Sequence, residues 1–204
     1  YHPREIMNAI RHRTRTGCSW RQLPHDFPPW ESVFQWYQRW TREGVLEKIH
    51  DCLRSMVRIA AGRNAEPTAA IIDSQSVKTT DVGGPKGYDA GKKINGRKRH
   101  LLVDVLGLVL VVMVTPASVQ DRDGAVPVLH EAHREYPTLQ MVKRTDALRR
   151  FVVLPQRWRV ELTFALLAQF RLLTKEYERS LESSEADILH ALGFVDASTP
   201  DDAH

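Results

Sequence analysis

The sequence predicts an α/β fold, a mixed β-sheet flanked by helices, preceded by a small all-helical region. Three observations carry that reading. Up to residue 63, apolar and aromatic residues recur at helical spacing with arginines between them. After "GRNAEPT", residues 62–68, the pattern changes from helical to strand-like. The strand-like segments then come as three strands, a helix, a fourth strand and another helix, and a helix crossover after three consecutive strands implies a mixed sheet.

Each element has its own signals. Pro3 suits a helix start, Ile6, Met7 and Ile10 give the 3–4 spacing, and Gly17 ends it. Ser19 can cap a short turn through "WRQLP". After Pro28-Pro29 a helix from Trp30 to Arg42 carries Val33, Phe34, Trp36, Tyr37 and Trp40 and closes at Gly44. Leu46, Ile49, Leu53 and Val57 mark a further helix with Arg54 and Arg58 turned outward. Short helices with aromatic interiors and arginine-rich exteriors resemble a helix-turn-helix module. Ala69 to Val77 reads as a strand, and the glycine- and lysine-rich residues 83–98 as a mobile basic loop. His100–Asp104 and Leu108–Thr115 pair across the turn "DVLG". Asp123 can cap a helix that Pro137 stops, "LQMV" at 139–142 is a short strand, and one long helix runs from Trp158 to about Glu178. The expected division is a helical region over 1–63, an α/β domain over 69–180 and an acidic tail over 181–204. Three strands, a crossover helix and a strand is the order of an RNase H-like core.

The bulk numbers narrow the function. The 204 residues are 42% hydrophobic, enough for a real core. Cys18 and Cys52 make neither a disulfide framework nor a zinc cluster and suit ordinary thiols in a reducing cytoplasm. The longest apolar run, Leu101 to Val114, is interrupted by Asp104 and Gly107 and is too short for a bilayer. No signal peptide is visible, and the first residue is Tyr1. The net charge of +4 is unevenly spread. Residues 1–63 hold 11 Lys/Arg against 6 Asp/Glu, residues 86–99 hold six against Asp89, and residues 176–204 hold eight acids against Arg179. Basic front and middle segments point to a polyanionic partner, most simply nucleic acid.

One acid stands out. In "IIDSQSVKTT", residues 71–80, Asp73 interrupts a buried strand, where a carboxylate is costly unless something binds it. Two-metal phosphoryl transfer needs acids from different elements to converge on Mg²⁺, and the first strand of an RNase H-like core supplies one.

The blocks "PREIMNAIRHRTRTGCSWRQLPHDFPPWESVFQWYQRW", "IIDSQSVKT", "GYDAGKKINGRKRHLLVDVLGLVLVVMVTPASVQDRDGA" and "FVVLPQRWRVELTFALL" resemble bacterial insertion-sequence transposases of the DDE superfamily, in order from about residue 2 to 180. The resemblance implies metal-dependent cleavage and strand transfer, with Mg²⁺ or Mn²⁺ as cofactor and double-stranded DNA, both element ends and target, as partner, bound by a homodimer in the cytoplasm. It places the first catalytic, metal-binding acid on Asp73 and the last on Glu161, and the family's basic segment on Lys92, Lys93, Arg97, Lys98, Arg99 and His100. Glu161 also has a plain reading, since acids favour the first turn of a helix.

The chain departs from the family where the second acid should be. "YPTLQMV" runs straight into "KRTDALRRFVVLP", so a block with that Asp is missing, and Asp104 and Asp146 are the nearest substitutes. On the Glu161 helix, Leu162, Leu166, Gln169 and Leu172 stand where the family favours basic or aromatic residues, which weakens the grip on phosphates. These departures imply an internally deleted copy with impaired chemistry. A DNA-binding remnant acting as an inhibitor is the alternative, and a nuclease built on Asp73 and Glu161 alone is a third reading.

Overall fold

The computed structural model describes residues 1–81, 83–141 and 158–197. Helix α1 (Pro3–Thr16) starts where the His2 ring nitrogen accepts from the Arg4 N–H at 3.2 Å. It ends at Gly17, whose φ of 72° suits a residue without a side chain. A short 3-10 turn, Trp20–Gln22, leads to α2 (Trp30–Arg42) and α3 (Val45–Ala60). Ile6, Ala9 and Ile10 meet Val33, Tyr37 and Trp40 in a helical core.

The sheet follows. Strand β1 (Ala69–Lys78) pairs antiparallel with β3 (Ile94–Asp104), which pairs antiparallel with β4 (Val109–Pro116). Strand β2 (Gly87–Asp89) lies end to end with β4 along the same edge of β3. Helix α4 (Asp121–Glu135) crosses over to β5 (Gln140–Met141), which runs parallel to β1. This mixed sheet with flanking helices, behind a helical front, is the predicted α/β architecture and is consistent with an RNase H-like core. The "DVLG" turn forms as expected: Asp104 accepts from the N–H groups of Leu106 and Leu108 at 2.8 and 2.9 Å, and Gly107 takes φ 86°. One face of the sheet, with Ile71, Leu101 and Val103, packs under α5 (Trp158–Leu167) and α6 (Leu181–Ala197). The other, with Ile72, Leu102 and Val111, packs under α4.

Four local expectations are corrected. The basic segment 83–98 is not a loop throughout: it contains β2 and the start of β3, because Arg97 and Arg99 extend the ladder opposite Val77 and Gln75. The helix after Pro116 has Gln120 at its N-cap, which puts Asp123 in its first turn rather than at its cap. The helix from Trp158 stops at Leu167, where the chain turns through a 3-10 step, Arg171–Leu173, to bury Phe170, Leu172 and Leu173. Residues 181–197 are no solvated tail. They form α6, with Ile188, Ala191 and Leu192 in the sheet core and Ala186 among the front helices. α6 and the segment leading into it also carry the acids that hold the front in place. Asp187 accepts from Arg13 at 3.2 Å and from the Tyr37 hydroxyl at 2.9 Å, while Glu178 takes the other Arg13 nitrogen.

A fifth correction concerns α3. Arg54 and Arg58 were expected outside and Ile49 inside, and the structure reverses them. Arg58 forms a buried ion pair with Asp104, and Arg54 donates to the Tyr136 hydroxyl at 2.5 Å. These partners lie in distant elements, so helical periodicity alone could not place the arginines.

Candidate functional site

Asp73 sits in the middle of β1, opposite Leu101 of β3, with β5 on the other side of its strand. Side chains alternate along a strand, so Asp73 shares its face with Ile71, the face covered by α5. The carboxyl is half-buried, and its Oδ1 accepts from the Ser74 N–H at 2.8 Å. Glu161 occupies the exposed first turn of α5. That helix is anchored on the same face by Val160, Phe164 and Leu167, and by the Thr163 hydroxyl donating to the Gly107 carbonyl at 2.8 Å. The fold thus brings both predicted acids to one side of the sheet.

Their electrostatic state separates them from four other acids around the sheet. Among the described residues, neither Asp73 nor Glu161 has a cation partner. Asp104 is consumed by Arg58, Glu176 by Arg97 and Arg99, and Asp89 and Asp121 by Lys98. Asp104, one candidate substitute for the missing acid, is therefore already neutralised and also serves as the turn cap. Asp146, the other, lies outside the described residues. No group of three or more metal-ligating side chains comes together among the described residues. Asp73 and Glu161 have the hard oxygen donors that suit Mg²⁺ or Mn²⁺, but as two carboxylates they fit one loosely held ion better than a fixed pair.

The predicted basic run splits in two. Lys92 and Lys93 are exposed in the turn between β2 and β3. The Asp89 carboxylate shapes that turn by accepting from the Gly91 and Lys92 N–H groups at 3.0 and 3.1 Å. Donation from the Ser76 hydroxyl, first, and from the Lys92 N–H holds Asp89 below the usual carboxylate range. The Lys92 ammonium donates to the Ser74 carbonyl at 3.3 Å, which places a cation one residue from Asp73. Arg97, Lys98, Arg99 and His100 are buried instead. Arg97 donates to the carbonyls of Pro85, Ser180 and Arg179, and Arg99 to Glu176 and the Leu173 carbonyl. Lys98 bonds Asp121 at 2.7 Å and the Val119 carbonyl at 2.8 Å, and burial opposes its charge less than these acids sustain it. His100 meets the Thr115 hydroxyl at 3.0 Å and lies against Gly124, where a Cβ would strike its ring at 2.1 Å. Burial, aided by Lys98, lowers its pKa. These four side chains cannot reach a phosphate without abandoning buried partners.

Sequence reasoning missed Glu176, which receives Arg99 and the Ser184 hydroxyl deep in the fold. The only hint was an acid in a segment otherwise read as helix. It also missed Asp187, counted as part of a tail.

Two family models match the chain. One, a putative transposase of the IS4/5 family, covers residues 1–50, and the other, a transposase DDE domain, covers residues 64–139. Together they span well over half of the sequence, and the second includes Asp73 but ends before Glu161. No curated protein and no solved structure matches the chain. Among the described residues, no helix is long and apolar enough to cross a membrane.

Proposed function

Because this chain belongs to the insertion-sequence transposases of the DDE kind, we propose that two copies of it act in the cytoplasm on double-stranded DNA, binding element ends and a target, and that Asp73 and Glu161 hold Mg²⁺ or Mn²⁺ beside the bound strand. The observation that carries this is the isolation of Asp73. Among the described residues it is the acid of the central strand left without a cation, while Asp104, Asp89, Asp121 and Glu176 are all paired. A divalent ion there would activate the attacking oxygen and neutralise charge on the leaving one. Asp73 would set the position of that ion on the rigid sheet, and Glu161 would approach it from α5. Lys92 and Lys93 would hold a DNA phosphate next to the acid, and the exposed arginines of the front, Arg4, Arg15, Arg21, Arg39 and Arg42, would extend the grip.

Turnover is the weak point of this copy. The missing block removes the second acid, and the ion pair with Arg58 keeps Asp104 from taking its place. We therefore propose DNA binding with little or no strand transfer. That makes an inhibitor of an intact relative the second reading, and the paired state of Asp104 favours it. Binding and strand-transfer assays on DNA carrying the element's ends, with Mg²⁺ and with Mn²⁺, test both parts. Binding without transfer is the expected result. Robust transfer abolished by Asp73→Ala would show that another acid completes the site, and absence of DNA binding would overturn the reading as a whole.

A further inference from the structure

Beyond Asp73, strand β1 sends Gln75 and Val77 to the same face of the sheet. Beyond Glu161, α5 carries Phe164 one turn on, and Ala168 follows a turn later, just past the helix end. These two continuations line one cavity of about 330 Å³. Ile94 of β3 and Leu173 complete its apolar walls, and Thr174 and Lys175 stand exposed at its rim. Arg99 lies across the ladder from Gln75, but Glu176 already holds its charge. The end away from the acids is bounded where the Glu176 N–H donates to the Lys78 carbonyl at 2.9 Å. The Gln75 amide has no partner among the described residues. Apolar walls, one free amide and a cation at the rim are the make-up of a ligand site.

We propose that this cavity seats one unpaired nucleobase of the DNA strand whose phosphate lies at Asp73 and Glu161. The inference rests on the DNA reading above and adds the kind of end the chain prefers. A duplex cannot enter the space between one strand and one helix, whereas a single base turned out of the stack can. Asp73 to Gln75 is about 7 Å along the strand, the reach from a phosphate to the base of the same nucleotide. The Phe164 ring and the side chains of Val77 and Leu173 offer apolar surface, which the flat face of every base can use. The Gln75 amide both donates and accepts, so it can meet the edge of any of the four bases. Lys175 at the rim suits the next phosphate along the strand. An end that is already unpaired is then bound without the cost of opening a base pair.

Fluorescence anisotropy of the full chain in Mg²⁺ tests it on three DNAs. The first is a blunt duplex, and the second is the same duplex forked at each end by three unpaired thymidines on both strands. The third carries abasic sites in place of those thymidines and keeps their phosphates. The fork is expected to tighten binding about 10-fold over the blunt duplex, and the abasic sites to abolish that gain. Ala168→Trp fills the cavity from an exposed position. Its circular dichroism and melting temperature should match the parent, and its preference for the fork should vanish while both DNAs still bind. Equal affinity of the parent for blunt and forked DNA would overturn the proposal and leave the DNA reading standing. So would a preference that survives the abasic sites or Ala168→Trp. Failure to bind any of the three DNAs overturns both.

Discussion

Asp73 and Asp104 stand at two points of the same β1–β3 ladder, three residues apart along the register, and the fold treats them in opposite ways. Asp104 closes the far end: it is fully buried, paired with Arg58 and bound by two backbone donors of its turn. Asp73 is half-buried, takes one donor from its own neighbour and meets no cation among the described residues. A carboxylate beside an apolar core must be compensated. One is compensated from within the chain, so its loss should damage the fold, while the other stays open to a cation from outside, so its loss should damage only binding.

Removing Asp104 should break that comparison most visibly. Asp104→Ala leaves Arg58 charged and unpaired in the interior and is expected to cost about 3–5 kcal/mol. In thermal melts this lowers Tm by about 10 °C. A change as small as that at a surface residue would mean that the pair contributes nothing.

The next effect concerns pH. Burial pushes Glu185 up to about 7 from its ordinary 4.5, with Glu182 and Glu47 adding to it against the Val114 N–H. Between those values the folded chain keeps the proton that the unfolded chain releases, so stability falls as pH rises through that window. His190 works in the opposite direction: burial brings it down to about 3 from 6.5, so stability falls as pH drops below 6.5. Between about 4.5 and 6.5 the two slopes cancel, so the joint contribution of Glu185 and His190 in denaturant melts should be flat there and fall on either side. Glu185→Gln, which keeps an acceptor for the Val114 N–H, should flatten the loss at higher pH by on the order of 1 kcal/mol.

Two further measurements sharpen the role of Asp73. Lys92→Ala with Lys93→Ala should weaken binding to all DNA sequences alike and reduce the slope of affinity against salt by about 2, read by fluorescence anisotropy. An unchanged slope would remove this turn from the DNA surface. Asp73→Asn should have the smallest effect on stability, within about 0.5 kcal/mol, while abolishing Mn²⁺ binding in calorimetry. A strongly destabilised Asp73→Asn would place it with Asp104 as a structural acid.

The strand bearing Asp73 was legible because an acid after Ala69, Ala70, Ile71 and Ile72 breaks a local rule, and the turn at Asp104 to Gly107 because its residues bond within five positions. The bonds that were not legible span much more chain. Arg58 reaches 46 residues to Asp104, Arg99 reaches 77 to Glu176, and Arg13 reaches 174 to Asp187. Each reads locally as a solvated charge, so the basic run over 97–100 looked like surface and α6 looked like a tail. The apolar residues of α6, among them Ala186, Ile188, Leu189, Ala191 and Leu192, were outweighed by its acids in the charge count. The pairing of Asp73 with Glu161 came from the resemblance, and the structure adds that both stand on one side of the sheet.

α6 belongs to two cores at once, with Ala186 beside Trp40 and Leu46, and Ile188 beside Leu101 and Val103. The helical front is therefore not a portable module. Grafted alone onto another sheet, residues 1–63 would leave Arg13 and Tyr37 without Asp187 and open the cluster around Trp40 to water. Exchange of the front between related chains would have to carry the first helices and this late helix together, from opposite ends of the described chain. Recombination within the gene would more easily destroy such a combination than create it.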